Sequence, residues 1–304
     1  MANWTQDNIP NLAGRLAVIT GTGGIGFETA LAMTRAGARV VIAGRDPAKG
    51  AVAVKTIKQA VPSARLDFGH LDLANLASIK AFAAELAQHQ QRLDILINNA
   101  GTMNPPKRRE TADGFELQLG TNYLGHFALT AQLLPLLKAG DKPRVVAVSS
   151  VAARSGAIDM DDLQAQRRYL PMVSYSQSKL ACLMFALEFN RRSEAAGWGI
   201  SSLAAHPGVA RTDLLPNGSG PRSVQALVRR YLPFLFQPAW RGALPILYAA
   251  IESDAKGGCY YGPHRLGGTR GYPREETPPQ QALDQAVSAR LWTQSEALTG
   301  VHFD

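Results

Sequence analysis

Leu16-Ala17-Val18-Ile19-Thr20-Gly21-Thr22-Gly23-Gly24-Ile25-Gly26 is the stretch that decides the fold. Its first five residues form an apolar run of strand length, and the glycines that follow mark a tight turn. Over 25–36 the apolar residues recur at helical spacing, and Gly37 ends them. Strand, glycine turn and helix in this order make a phosphate cradle. Glycines let the backbone approach a pyrophosphate, and the unpaired N–H groups of the helix N-terminus face the anion. Gly21, Thr22, Gly23, Gly24, Ile25 and Gly26 are therefore candidate cofactor-binding residues, the alternative being a turn that is structural only.

The pattern repeats outward from this unit. Strands are predicted at 39–43, within 66–73, and at 93–97, 144–149, 200–205 and 256–262. Helices are predicted at 47–61, 75–90, 111–138 (interrupted near Gly120 and Pro135), 173–195 and 280–299. Strands alternating with helices imply right-handed crossovers and a doubly wound parallel sheet of Rossmann type, an α/β fold. Ligands of such sheets bind outside the carboxyl ends of the strands. The residues after Thr20, Ala43, Ile97, Val148 and Ala205 are thus expected to ring one site.

The chain has 304 residues, 46% of them hydrophobic, and a net charge of +8, which fits a folded globular domain and excludes a disordered one. Two cysteines, Cys182 and Cys259, exclude a disulfide scaffold. No apolar run approaches the roughly 20 residues of a membrane span. The polar N-terminus lacks the order of a signal peptide, so a cytoplasmic location is expected. No linker divides the chain, and 1–304 is read as one domain. Within it, 214–240 is rich in Pro and Gly and then strongly apolar, and reads as an inserted substrate cover. A partner interface or membrane-surface contact are the other readings of that segment; membrane association is not expected. The arginine pairs are dispersed without interleaved aromatics, so no nucleic-acid partner is expected. No His, Cys, Asp or Glu cluster has metal-ligand spacing, and no metal is expected. His206 reads as a structural loop residue, His70 and His126 as packing or surface, and Cys182 as a small buried side chain.

The end of the second strand bears on the cofactor. An NAD site places an acidic residue there for the ribose 2′-hydroxyl. Here Gly44 takes that position and Arg45 follows it. A guanidinium is always charged and bidentate, which suits a 2′-phosphate and favours NADP(H). In the alternative, Arg45 is solvated surface and Asp46 takes the ribose.

Tyr175-Ser176-Gln177-Ser178-Lys179 opens the long helix at 173–195. Residues four apart share a helix face, and a cation beside a phenol favours the phenolate. That makes Tyr175 a candidate general acid/base, although the spacing alone is common by chance.

Together with Asp72-Leu73, Asn98-Asn99-Ala100-Gly101, Asn122, Val146-Ala-Val-Ser-Ser150 and Pro207-Gly208, these motifs resemble the short-chain dehydrogenase/reductase family, in the family's order and over about residues 12 to 215. Within it the sequence is most similar to the retinol dehydrogenase-like branch, by Asn122-Tyr-Leu-Gly-His-Phe127, His206-Pro-Gly-Val209 and Tyr261-Gly262. The resemblance implies an NADP(H)-dependent oxidoreductase that moves a hydride between the nicotinamide and a lipophilic carbonyl or alcohol, a small-molecule substrate. It implies that Tyr175 exchanges the substrate proton, that Lys179 supports the phenolate and binds the nicotinamide ribose, that Ser150 rather than Ser149 bonds the carbonyl, and that Asn122 supports a water-mediated relay. Asp72, Leu73, Asn99, Ala100 and Gly101 would line the adenosine side, and Pro207, Gly208, Val209 and Thr212 the nicotinamide and phosphates. A homodimer or homotetramer is the assembly it implies.

One departure is visible. The family's usual glycine loop is one residue longer, so Gly21 and Gly26 here are five apart. The shorter turn is expected to shift the phosphate contacts. It also motivates a rival reading, a non-enzymatic dinucleotide-binding regulator on the same fold.

Overall fold

The structure is a computed structural model and describes residues 3–210 and 237–303. The segment 214–240 read as a substrate cover lies outside the described residues up to 236, as does Thr212. Its last residues open a helix instead: Gln237 forms a bridge to Ala210, and Pro238 caps the helix that follows.

Eight strands form one sheet in the order β3-β2-β1-β4-β5-β6-β7-β8. They are β1 (Leu16–Thr20), β2 (Arg39–Gly44), β3 (Arg65–His70), β4 (Ile95–Asn98), β5 (Arg144–Val148), β6 (Ser201–Ala205), β7 (Tyr260–Arg265) and β8 (Arg270–Glu276). All neighbours are parallel except β7 and β8. The central strands are buried on both faces, which is why β1 and β4 read as unbroken apolar runs. The strand order reverses between β1 and β4, and the crevice of such a sheet opens there.

One face carries α1 (Gly24–Arg35) and α2 (Pro47–Ala60). The other carries α3 (Leu76–His89), the one-turn α4 (Leu117–Leu119), α5 (Gly125–Gln132), α6 (Leu134–Lys138) and α7 (Pro171–Ala196). After the undescribed segment, α8 (Ala239–Ile251) joins α1 on the first face and α9 (Gln285–Thr299) joins α7 on the second. The first face is aliphatic, with Met33, Ile57 and Leu247 fully buried. The second is aromatic: Phe127, Phe185, Phe189, Trp292 and Phe303 pack ring against ring, with centroids 4.5 Å apart for Trp292 and Phe303. The C-terminal residues therefore complete this layer.

The differences from the expected elements are local and have causes. The helix expected over 111–138 begins only at Leu117, where the buried Glu116 carboxylate accepts from Gln118 N at 3.0 Å and Leu119 N at 2.7 Å. It then widens into a π turn over Gly120–Leu124, and Pro135 starts the separate α6. The strand expected at 256–262 lies at Tyr260–Arg265 and turns back as β8. Pro273 is tolerated in β8 because that strand forms the sheet edge. The helix expected over 280–299 splits into a 3₁₀ turn, Gln280–Leu283, and α9, with Asp284 capping Val287 N at 3.0 Å.

Candidate active site

A cavity of about 1540 Å³ opens at the carboxyl ends of the strands. The turns after β1, β2, β4, β5 and β6 all line it, the ring expected from the topology. It exceeds the roughly 300–1,000 Å³ of common small-molecule pockets. There is room for a dinucleotide and a second ligand.

One wall is the glycine turn. Gly21 (φ +95°) and Gly24 (φ +53°) adopt left-handed backbone, so the shortened loop still turns tightly into α1. Gly21, Thr22, Gly23, Gly24 and Ile25 line the cavity; Gly26 does not. Gly26 sits behind the turn, where a Cβ would meet the Gly21 carbonyl oxygen at 2.2 Å. Its role is packing of helix against strand rather than ligand contact. Gly23 faces open space, and the N-terminus of α1 points its amides at that space.

The rim beside this wall is basic. Arg45 is exposed and lines the cavity. Asp46, the alternative ribose ligand, caps α2, its Oδ1 accepting from Ala48 N at 3.0 Å and Lys49 N at 3.1 Å. Lys49 lines the same rim and went unread in the sequence. Its place four residues after Arg45 was the available signal. Asp72, Leu73, Asn99, Ala100 and Gly101 line the same cavity. Asn99 is fixed by its Nδ2 donating to the Thr20 carbonyl at 2.6 Å.

The opposite wall holds buried side chains. Tyr175 and Lys179 are each 4% exposed and face the cavity from α7. Lys179 Nζ donates to the Val148 carbonyl at 2.9 Å. Ser149 and Ser150 both touch the cavity, but their hydroxyls differ. Ser149 Oγ is buried and donates to the Lys179 carbonyl at 2.8 Å. Ser150 Oγ accepts from Ala152 N at 3.2 Å, which leaves its proton for another acceptor.

Asn122 is not part of the cavity wall. It is fully buried in the π turn, where Oδ1 accepts from Thr102 N at 2.7 Å and Nδ2 donates to Thr102 O at 3.0 Å and Ser178 Oγ at 2.9 Å. Ser178 Oγ donates in turn to the Tyr175 carbonyl at 2.8 Å. The missing side chain of Gly101 makes this approach feasible, since a Cβ there would lie 2.9 Å from Asn122 Oδ1 and 3.6 Å from Lys179 Nζ.

Pro207, Gly208 and Val209 close the third side. His206, buried beneath them, accepts from Gly208 N at 3.2 Å and bonds Glu276 Oε2 at 3.1 Å. Glu276 also takes Arg154 Nη2 at 2.9 Å. Burial works to raise the Glu276 carboxyl, but the hydrogen bonds and charges of His206 and Arg154 outweigh it and hold it below the usual range. The expectation of a structural His206 fits these contacts. Glu276, on the strand that was not foreseen, carries the other end.

These motifs are matched in known proteins. The model described as short chain dehydrogenase matches residues 15–219. The chain belongs to the short chain dehydrogenase family. It is 40% identical over 301 residues to the polyprenol dehydrogenase of Mus musculus, covering 96% of this chain and 86% of that one. It is 38% identical over 296 residues to human retinol dehydrogenase 12, covering 96% and 89%. These relatives place it in the retinol dehydrogenase-like branch. Among solved structures, a crystal structure of an uncharacterised protein from Mycobacterium Paratuberculosis aligns with TM-score 0.83 and 39% identity over 100% of both chains. The Pseudomonas aeruginosa RhlG/NADP active-site complex aligns with TM-score 0.64 and 26% identity, over 82% of this chain and 94% of that one. As a member of this family, the chain is an oxidoreductase acting on a small molecule. Among the described residues no helix is long and apolar enough to cross a membrane, and no group of His, Cys, Asp and Glu is placed to hold a metal.

Proposed function

We propose that this short chain dehydrogenase is an NADP(H)-dependent oxidoreductase that interconverts a lipophilic carbonyl compound and its alcohol. The observation that carries the reading is the single cavity with Ser150, Tyr175 and Lys179 on one wall and the glycine turn with Arg45 on the other. The residues fit the dinucleotide: a glycine cradle open at Gly23, helix amides behind it, and two cations, Arg45 and Lys49, at the rim. The two cations at that rim, where an NAD site would hold an acidic residue, support NADP(H) over NAD(H). The RhlG neighbour solved with NADP supports it too. The apolar substrate is supported by relatives named for polyprenol and retinol.

When bound, the dinucleotide supplies the hydride that the carbonyl carbon accepts. The chain supplies position and a proton. Ser150 donates its hydroxyl proton in a hydrogen bond to the carbonyl oxygen. Tyr175 transfers the phenol proton to that oxygen as it becomes the alcohol. Lys179 places a positive charge beside the tyrosinate that remains, which favours it. Burial of Tyr175 and Lys179 keeps competing water away and strengthens these interactions.

The test is NADPH consumption with a panel of aldehydes and ketones, run with NADH and with Tyr175→Phe in parallel. The expected result is turnover with NADPH that drops by about 10²-fold or more in Tyr175→Phe. Tight NADPH binding with no turnover of any carbonyl would favour a non-enzymatic regulator instead, and tighter binding of NADH would remove the role given to Arg45.

A further inference from the structure

His126 stands at the centre of a hydrogen-bond chain that joins the two walls. It is 4% exposed. Its Nε2 lies 2.9 Å from Thr20 Oγ1 and its Nδ1 lies 2.8 Å from the Asn122 carbonyl oxygen. Proton counting fixes the tautomer. Thr20 Oγ1 already accepts two amides, Asn99 N at 2.8 Å and Ala100 N at 2.9 Å, which use both of its lone pairs. Its own proton is left to donate, and His126 Nε2 is a far better acceptor than the Ile97 carbonyl at 3.4 Å. Nε2 is then bare, and Nδ1 carries the proton that the Asn122 carbonyl accepts. The reverse tautomer would press a third N–H on Thr20 and set an Nδ1 lone pair against a carbonyl oxygen.

A doubly protonated ring is disfavoured as well. Burial and then the charge of Lys179 lower the imidazole's pKa to about 3, although the Asn122 carbonyl opposes them. The ring is neutral across the physiological range.

Each end of the ring touches groups the reaction needs. Thr20 ends β1, and the two amides it holds begin the Asn99–Ala100–Gly101 wall. The Asn122 carbonyl also accepts Cys182 Sγ at 3.2 Å, and the Asn122 side chain leads through Ser178 to the Tyr175 backbone. We infer that His126 is a positioning residue: as a neutral imidazole protonated on Nδ1, it sets the distance between the Asn99–Gly101 wall and the Asn122 turn that braces Tyr175. For its effect on rate this rests on the oxidoreductase reading above; the tautomer and the amide anchoring stand independently of it.

The test combines spectroscopy, exchange and kinetics. Long-range ¹H–¹⁵N correlation spectra of the wild-type protein, assigned by loss of the signal in H126F, should show an Nδ1–H pattern unchanged from about pH 5 to about pH 9. H126F keeps ring volume and loses both bonds. In it, the Asn99 and Ala100 amides should exchange about tenfold faster, and kcat should fall about tenfold with the carbonyl KM changed less than about twofold. H126Q, able to keep one bond, should fall between the two. A histidine of merely structural value would lower Tm while leaving kcat of the folded protein unchanged. An Nε2–H pattern, titration near about pH 6.5 or wild-type exchange at Asn99 and Ala100 in H126F overturns the inference. Should the wild-type protein turn over no carbonyl, the function above fails; the tautomer and exchange rates still decide for or against His126.

Discussion

The two walls of the cavity are made of opposite materials. The glycine turn works by what it lacks: no side chain at Gly21, Gly23 or Gly24, open space at Gly23, and exposed cations at the rim. The Tyr175 wall works by saturation. Lys179 and Ser149 are buried, Asn122 and Ser178 are buried behind them, and each has partners between 2.7 and 3.0 Å. A wall of backbone and rim charge can bind an anion and do little else. A wall of oriented, desolvated groups can hold a proton at one atom. The contrast predicts that damage to the first appears in cofactor affinity and damage to the second in turnover.

The sharpest break is Lys179→Met. It removes the only buried cation beside Tyr175 among the described residues while nearly keeping volume. The expected result is a loss of about 10²-fold or more in kcat, with NADPH affinity reduced less, measured by steady-state kinetics and by quenching of protein fluorescence. Equal losses in kcat and in affinity would dissolve the distinction between the walls.

Gly26→Ala attacks the first wall from behind. The new Cβ would lie 2.2 Å from the Gly21 carbonyl, which is backbone and cannot rotate away. Overpacking of this kind costs about 1–3 kcal/mol, and the turn that yields is the phosphate cradle. Both urea stability and NADPH affinity should drop, whereas Gly23→Ala, with nothing within 4 Å, should leave stability nearly unchanged.

Much of this first wall was legible. The glycine turn and Arg45, like the Tyr175–Lys179 spacing of the opposite wall, are each local in sequence, so local pattern carries their geometry. What joins the walls was not. Thr20 and His126 are 106 positions apart, and only the fold shows that one hydroxyl faces one ring. His126 was consequently read as packing or surface. Asn122 was matched to a motif, but its burial behind Gly101 follows from a π turn that residue types do not announce. β8 was missed because Arg270-Gly-Tyr-Pro-Arg-Glu-Glu276 has charges and a proline where a strand pattern wants alternation. Its edge position makes those residues tolerable.

Arg45→Leu sharpens the comparison at the rim. An exposed guanidinium bonding a 2′-phosphate contributes modestly and is screened by salt. The NADPH KM should rise about tenfold at low ionic strength and less at high, with NADH almost unaffected and kcat at saturation unchanged. A matching loss with NADH would place Arg45 on the adenine or the ribose instead.

The smallest effect is expected where the third side is tied down. Glu276 links Arg154, just after Ser150, to His206, just before Pro207 and Gly208. Its pKa is depressed in the folded protein, so its carboxylate contributes stability above the unfolded value of about 4.3. That contribution is lost as pH falls through the folded value, where the carboxyl takes up its proton. Glu276→Gln has no such charge at any pH. It should be less stable than wild type by about 1 kcal/mol at neutral pH, and the two urea curves should converge as both are acidified below about pH 4. A gap that persists undiminished in acid would mean that the carboxylate charge is irrelevant and that only the shape of the side chain holds the loop.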